Sequence, residues 1–148
     1  MRIRHRAYAY ITHESQLLVF TQPDPTAGIQ VPAGTIKEGE DPASAVLREA
    51  VEETGLLALR LVRFLAQDTR DMRDCGMDEL QYRWFYHIAC DGSPPARWRH
   101  GEFDEAGTLL HPFDFFWATL PDEVPRLVAN YDDMLPLLIE SLQNGADQ

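Results

Sequence analysis

At 148 residues, with 45% hydrophobic and 10% aromatic residues, the chain is about one domain long and rich enough in apolar surface to build a core, so a single domain over residues 1–148 is expected. Thirteen Lys and Arg stand against 24 Asp and Glu, a formal charge of -11 that argues against broad affinity for a nucleic-acid backbone or an anionic membrane. A phosphate-bearing ligand would therefore need local help, from arginine or from a divalent cation held by the surplus carboxylates.

The basic start, Met1 to Arg6, is followed by no apolar h-region, and no run approaches the roughly 18 apolar residues of a membrane span, so a cytoplasmic protein without membrane partners is expected. Cys75 and Cys90 show no metal-like spacing and read as free thiols. Ala7–Thr12 and Gln16–Thr21, parted by His13-Glu14-Ser15, read as a strand hairpin. Gln22–Gly28 is a loop by its turn residues, Ile29–Val31 a short strand stopped by Pro32, and Gly34–Gly39 a second loop. Asp41-Pro42 announces a helix and Gly55 closes it after about three turns. Leu57–Thr69 and Leu80–Ala89 are strand-like and flank an irregular charged segment, Arg70–Glu79, while Phe113–Ala118 reads as a further strand. From about Glu123 to Leu142 the chain looks helical, with Pro125 and Pro136 marking starts or a break. Strands around one helix with a second helix last give an α/β or α+β sandwich.

The central helix carries three glutamates, Glu49, Glu52 and Glu53, which at 100° per residue share an arc of roughly 100° opposite Ala43, Leu47, Ala50, Val51 and Thr54, so all three are expected to face outward. Like charges at helical spacing cost about 0.2–0.5 kcal/mol per pair. Something must offset that cost. The stretch satisfies G-x5-E-x7-R-E-U-x-E-E-x-G-U, where U is apolar, with Gly34, Glu40, Arg48, Glu49, Ala50, Glu52, Glu53, Gly55 and Leu56 in the specified places. Seven fixed letters at background frequencies of about 5–7% coincide by chance with a probability on the order of 10⁻⁹. Residues 34–56 resemble the signature of the Nudix (MutT-like) hydrolase family.

That resemblance implies an α/β/α sandwich with a mixed β-sheet, and a pyrophosphohydrolase that uses water and Mg²⁺ or Mn²⁺ to cleave a phosphoanhydride in a nucleoside diphosphate linked to a further group. A hard cation prefers the oxygens such a cluster offers, and its binding would relieve the glutamates' repulsion. Carried over by position, Glu49, Glu52, Glu53 and the carbonyl of Gly34 are the expected metal ligands and Glu49 the expected general base. Arg48 is expected to orient a glutamate, and Glu40 to brace the loop against the helix. The segment before the box, Ile29 to Gly34, reads Pro-Ala-Gly where many relatives have Pro-Gly-Gly, and Met72 stands where ADP-ribose and nucleotide-sugar enzymes tend to carry proline. The substrate is expected to be a small nucleotide of unspecified subclass.

Two loops join charge to aromatic groups. Arg70 and Arg73 are candidates to meet phosphates, Trp98 to stack on a base, and Glu102 or Glu105 to add an acidic ligand. Trp84, Phe85, Tyr86, Phe115, Phe116 and Trp117 are assigned to core packing. The alternatives are a non-catalytic Nudix-fold nucleotide-binding regulatory domain, disfavoured by the complete set of box carboxylates, and an isoprenoid-diphosphate isomerase of similar fold, which would need a catalytic cysteine. Homodimerisation is common in the family.

Overall fold

The computed structural model describes residues 1–145. The strands are β1 (Arg2–His13), β2 (Gln16–Thr21), β3 (Ala33–Thr35), β4 (Leu59–Asp71), β5 (Glu79–Cys90), β6 (Arg97–Phe103) and β7 (Leu109–Thr119), and the helices are α1 (Pro42–Thr54) and α2 (Leu135–Gln143). They build one seven-stranded sheet in the order β4-β5-β1-β2-β7-β6, with β3 attached to β1 off that path. β1 and β5 run parallel and the other pairs antiparallel, so the sheet is mixed.

β1 organises the molecule. One of its edges pairs with β5 from Arg2 to Thr12, while the other is shared, with β3 taking Arg6–Tyr8 and β2 taking Thr12–His13. The sheet forks there. Ala7 to Ile11 are buried without alternation because both faces are covered. On one face Ala7, Ala9 and Ile11 pack with Phe20, Ile88 and Phe115 under Val46 and Ala50 of α1. On the other, Tyr8 and Tyr10 pack with Leu17, Val19 and Phe85 under Leu135 and Leu138 of α2. The result is the α/β/α sandwich with a mixed sheet that the signature implied. No helix among the described residues is long and apolar enough to cross a membrane.

The β1–β2 and β4–β5 hairpins and α1 follow the sequence reading closely; three segments do not. Ile29–Val31 makes only a single bridge, Gln30 to Phe20, and the strand lies beyond Pro32 at Ala33–Thr35, in the stretch read as loop. Pro32 has no N–H to give, but its carbonyl accepts from Ala9 N at 2.9 Å and leads the chain onto the edge of β1. Arg97–Phe103, read as a loop, is a strand: Arg97 and Arg99 are exposed while Trp98 and His100 turn inward, an alternation hidden by the charges. The last helix begins at Leu135, not near Glu123. Ala129 and Asn130 have positive φ and interrupt any helix upstream, and Val124, Leu127, Tyr131 and Met134 reach the second core from irregular backbone.

Arg83 fastens that irregular segment to the sheet. Only 1% exposed, it donates from Nε to Asp68 at 2.8 Å, from Nη2 to Asp133 at 2.9 Å and from Nη1 to the Asn130 carbonyl at 3.3 Å, with its guanidinium over the Phe85 ring. Arg83→Met should cost about 2–4 kcal/mol in chemical denaturation, because Asp68 and Asp133 are left facing each other without their shared cation. A loss below about 0.5 kcal/mol would show that the ion pairs contribute nothing net.

Candidate active site

α1 has local reasons to be where it is. Asp41 caps it by accepting from Ser44 N at 3.2 Å, Pro42 occupies the first turn, and Gly55, left-handed at φ 74, returns its N–H to Val51 O at 2.9 Å. The helix lies against β3. Gly34 makes the approach possible: a Cβ there would stand 2.1 Å from Cδ of Glu49, so only a residue without a side chain lets the strand come this close to the carboxylate.

Arg48 distributes the charges around that contact. Its Nε and Nη2 donate to Glu40 at 2.8 and 2.9 Å, its Nη1 to Glu49 at 2.7 Å, and its Nη2 also to the Thr35 carbonyl at 3.3 Å, with Glu52 at 3.5 Å. Glu40 accepts in addition from Lys37 N at 3.0 Å, and these bonds, Arg48 first, hold its carboxyl down to about 2. Glu40 thus braces the loop, and Arg48 fixes Glu49 against β3.

The three glutamates do not face out together. Glu53 is only 5% exposed, and the buried residues of α1 are Ala45, Val46, Ala50, Glu53 and Thr54, whereas Val51 is 39% exposed. On the helical wheel Glu53 falls between Ala45 and Val46, so the inward arc is rotated from the one hydrophobicity alone selects. The Arg6 charge and the Ala33 backbone N–H of β3 are what favour its ionised form there. Burial, then the charge of Glu49, push its carboxyl well above the usual carboxylate range; Arg6 and the Ala33 N–H oppose the shift and Glu102 adds to it. Glu52 is half-exposed.

A groove of about 510 Å³ runs between α1 and β6, lined by Lys37, Arg48, Glu49, Glu52, Gly101, Glu102 and Phe103. It brings the box glutamates to Glu102, while Glu105 stands in the exposed β6–β7 turn and does not line it. Among the described residues no three His, Cys, Asp or Glu side chains close on one point, and Arg48 pairs with both Glu49 and Glu52.

The three substrate candidates lie elsewhere. Arg73 is exposed and paired with Asp71 at 2.6 Å, and Arg70 donates to Asp74 and Asn130, each at 2.8 Å. Trp98 stacks on Phe115 with ring centroids 5.1 Å apart and donates Nε1 to the Thr54 carbonyl at 2.8 Å. Together with His100, whose Nδ1 lies 3.0 Å from the Glu53 carbonyl oxygen, it fastens β6 to the last turn of α1. That attachment is what delivers Glu102 to the groove. The sequence reading overlooked Arg6 and Lys37; the alternation of Arg4, Arg6 and Tyr8 in a strand was the available signal for Arg6.

A family model described as the NUDIX domain matches residues 2–138. The chain belongs to the Nudix family. It is an enzyme of that family, a Nudix hydrolase. No curated protein sequence matches it. Among solved structures it resembles a UDP-X diphosphatase, with a TM-score of 0.68 at 18% identity over 100% of this chain, which spans 66% of that protein. It also resembles an ADP-ribose pyrophosphatase from Streptococcus suis 89-1591, with a TM-score of 0.65 at 20% identity, covering 95% of this chain and 92% of that one. A third is a bifunctional NMN adenylyltransferase/ADP-ribose pyrophosphatase from Francisella tularensis, complexed with AMP and a Mn ion, with a TM-score of 0.59 at 16% identity over 93% of this chain and 41% of that one. At these identities the likeness is one of fold.

Proposed function

We propose that this Nudix hydrolase is a metal-dependent pyrophosphohydrolase, a single domain over residues 1–148 working in the cytoplasm on a small nucleotide. Its substrate is a nucleoside diphosphate linked to another group, such as a nucleoside triphosphate, a nucleotide sugar or an ADP-ribose-like compound. The observation that carries this is the packing of Glu49 on Gly34, with Glu52, Glu53 and Glu102 around it and Arg48 tying the group to Glu40.

The donor set fits a hard cation. The carboxylates of Glu49, Glu52 and Glu53 and the carbonyl of Gly34 would hold Mg²⁺ or Mn²⁺, and Glu53, whose charge is the most disfavoured by burial and by Glu49, has the most to gain. Bound there, the cation would neutralise phosphate charge and acidify the attacking water. Glu49 serves as general base: Arg48 fixes its carboxylate on the wall of the groove, where it can take the water's proton. Glu102 closes the groove from β6. The structural neighbours support the substrate class, since their names combine a diphosphatase of UDP-linked compounds, a pyrophosphatase of ADP-ribose and a complex with AMP and Mn. Neither cysteine stands among the glutamates, with Cys75 beside Arg70 and Asn130 and Cys90 facing Asp91, which weighs against the isomerase reading.

The test is release of phosphate, pyrophosphate or nucleoside monophosphate from a panel of nucleoside triphosphates, nucleotide sugars, ADP-ribose and dinucleoside polyphosphates, with and without Mg²⁺. Metal-dependent cleavage of one class is the expected result. No turnover across the panel, with a ligand still bound tightly, would instead favour the regulatory domain.

A further inference from the structure

α1 is shorter than the sheet beneath it. It packs on Ala7, Ala9 and Ile11 of β1, and beyond its first turn the same sheet face carries rings instead of small residues, Tyr82 and Trp84 of β5 beside His5 of β1. The His5 ring stacks on both, with centroids 5.0 Å from Tyr82 and 5.8 Å from Trp84. The chain does not close over this row. Between it and the loop of residues 36–40 lies a groove of about 520 Å³, with His5 and Trp84 on the sheet side and Ile36 and Pro42 on the side of the loop and helix. Lys37, Glu38 and Glu40 supply its charges.

Those charges are unequally occupied. Glu40 already accepts two bonds from Arg48 and one from Lys37 N. Lys37, the only lysine of the chain, and Glu38 are both exposed, and neither has an ion-pair partner among the described residues. One open ammonium and one open carboxylate, on consecutive residues, therefore line a single groove with an aromatic floor. A ring entering it extends the stack on Trp84. A carboxylate on the same molecule is matched by Lys37, and an ammonium by Glu38.

We infer that this groove is a second ligand site, built for a small aromatic zwitterion of the aromatic α-amino acid kind. A nucleotide matches it poorly, because its phosphates would meet Glu38 and Glu40 with only the Lys37 ammonium to offset them. The site is distinct from the catalytic groove. The two share Lys37 alone, while Glu40 lines one and its partner Arg48 the other, so the inference stands or falls apart from the hydrolase reading.

The test is a titration of the full chain followed by NMR at the indole N–H of Trp84, told apart from those of Trp98 and Trp117 by its loss in Trp84→Phe. L-Phenylalanine should shift that signal and saturate with a Kd on the order of 0.1–1 mM. Three comparators, 3-phenylpropionate, phenethylamine and L-leucine, lack the ammonium, the carboxylate and the ring in turn, and each should bind about three- to tenfold more weakly. Lys37→Gln should erase the preference over phenethylamine and keep that over 3-phenylpropionate, and Glu38→Gln should do the reverse. Both side chains are exposed, so neither change threatens the fold. No shift at Trp84 up to about 10 mM, a comparator that binds as tightly as L-phenylalanine, or variants that keep both preferences would each overturn the proposal. AMP binding there more tightly than L-phenylalanine would overturn it as well and make the groove a nucleotide site.

Discussion

Glu53→Gln, assayed on the cleaved substrate with saturating Mg²⁺, should lose about three orders of magnitude in turnover, and Glu52→Gln should fall comparably. An amide keeps the shape and surrenders the charge that a cation needs. Glu53 makes the experiment sharper because its burial separates function from stability. Its carboxyl is pushed above the usual range, so the protonated form is the one the folded protein favours. The stability attached to that proton is fully present below the unfolded carboxyl value of about 4.3 and is lost as pH rises through the higher folded value. Glutamine carries no such penalty. Without metal, Glu53→Gln should therefore unfold about 2–5 °C above wild type near neutral pH and lose that margin as the pH falls below about 4, while remaining inactive at every pH. Adding Mg²⁺ should raise the melting temperature of wild type and not of the variant. Wild-type turnover in both glutamine variants would remove the metal-site assignment, whereas a Glu53→Gln protein less stable than wild type would show that the Ala33 N–H and Arg6 more than offset the burial.

Gly34→Ala should cost activity far out of proportion to stability. The new methyl would lie 2.1–2.4 Å from the Glu49 carboxylate and its neighbouring carbon, but these are the far end of a flexible side chain that can swing aside. The fold should lose no more than about 1–2 kcal/mol. The swing, however, takes Glu49 off Arg48 and shifts it within the groove, and misplacement by about 1 Å is enough to lower turnover on the order of 10²-fold. Steady-state kinetics beside a denaturation curve reads both. Near-wild-type turnover in a folded Gly34→Ala protein would mean that the close approach of β3 to Glu49 is not what positions the carboxylate.

The helix that carries these residues was legible from the sequence because its determinants are local. Asp41, Pro42 and Gly55 act on their own neighbours, and Arg48 reaches Glu49 next to it and Glu40 just before the helix N-cap. The signature from Gly34 to Leu56 compresses those contacts into a string of fixed spacings, and so the family could be read before any tertiary contact was known. Burial of Glu53 could not be read in this way. Hydrophobicity assigns a carboxylate to solvent, and the groups that favour its charge inside, Arg6 of β1 and the Ala33 N–H of a Pro-Ala-Gly stretch that looks like a loop, are distant in the chain.

Composition misled in the same manner at β6, where charges cover an alternating strand, and at residues 123–134, where apolar spacing suggests a helix but Ala129 and Asn130 adopt left-handed backbone. By itself the sequence determined the sheet-and-helix class, the bounds of α1, the box and the family, all of which depend on neighbours along the chain or on a fixed motif. Only the tertiary structure decided which glutamate is buried, that Trp98 serves β6 rather than the groove, and that Glu102 reaches the cluster. Those outcomes depend on β1 dividing its edge between β2 and β3, which brings residues distant in the chain to one side of a single strand.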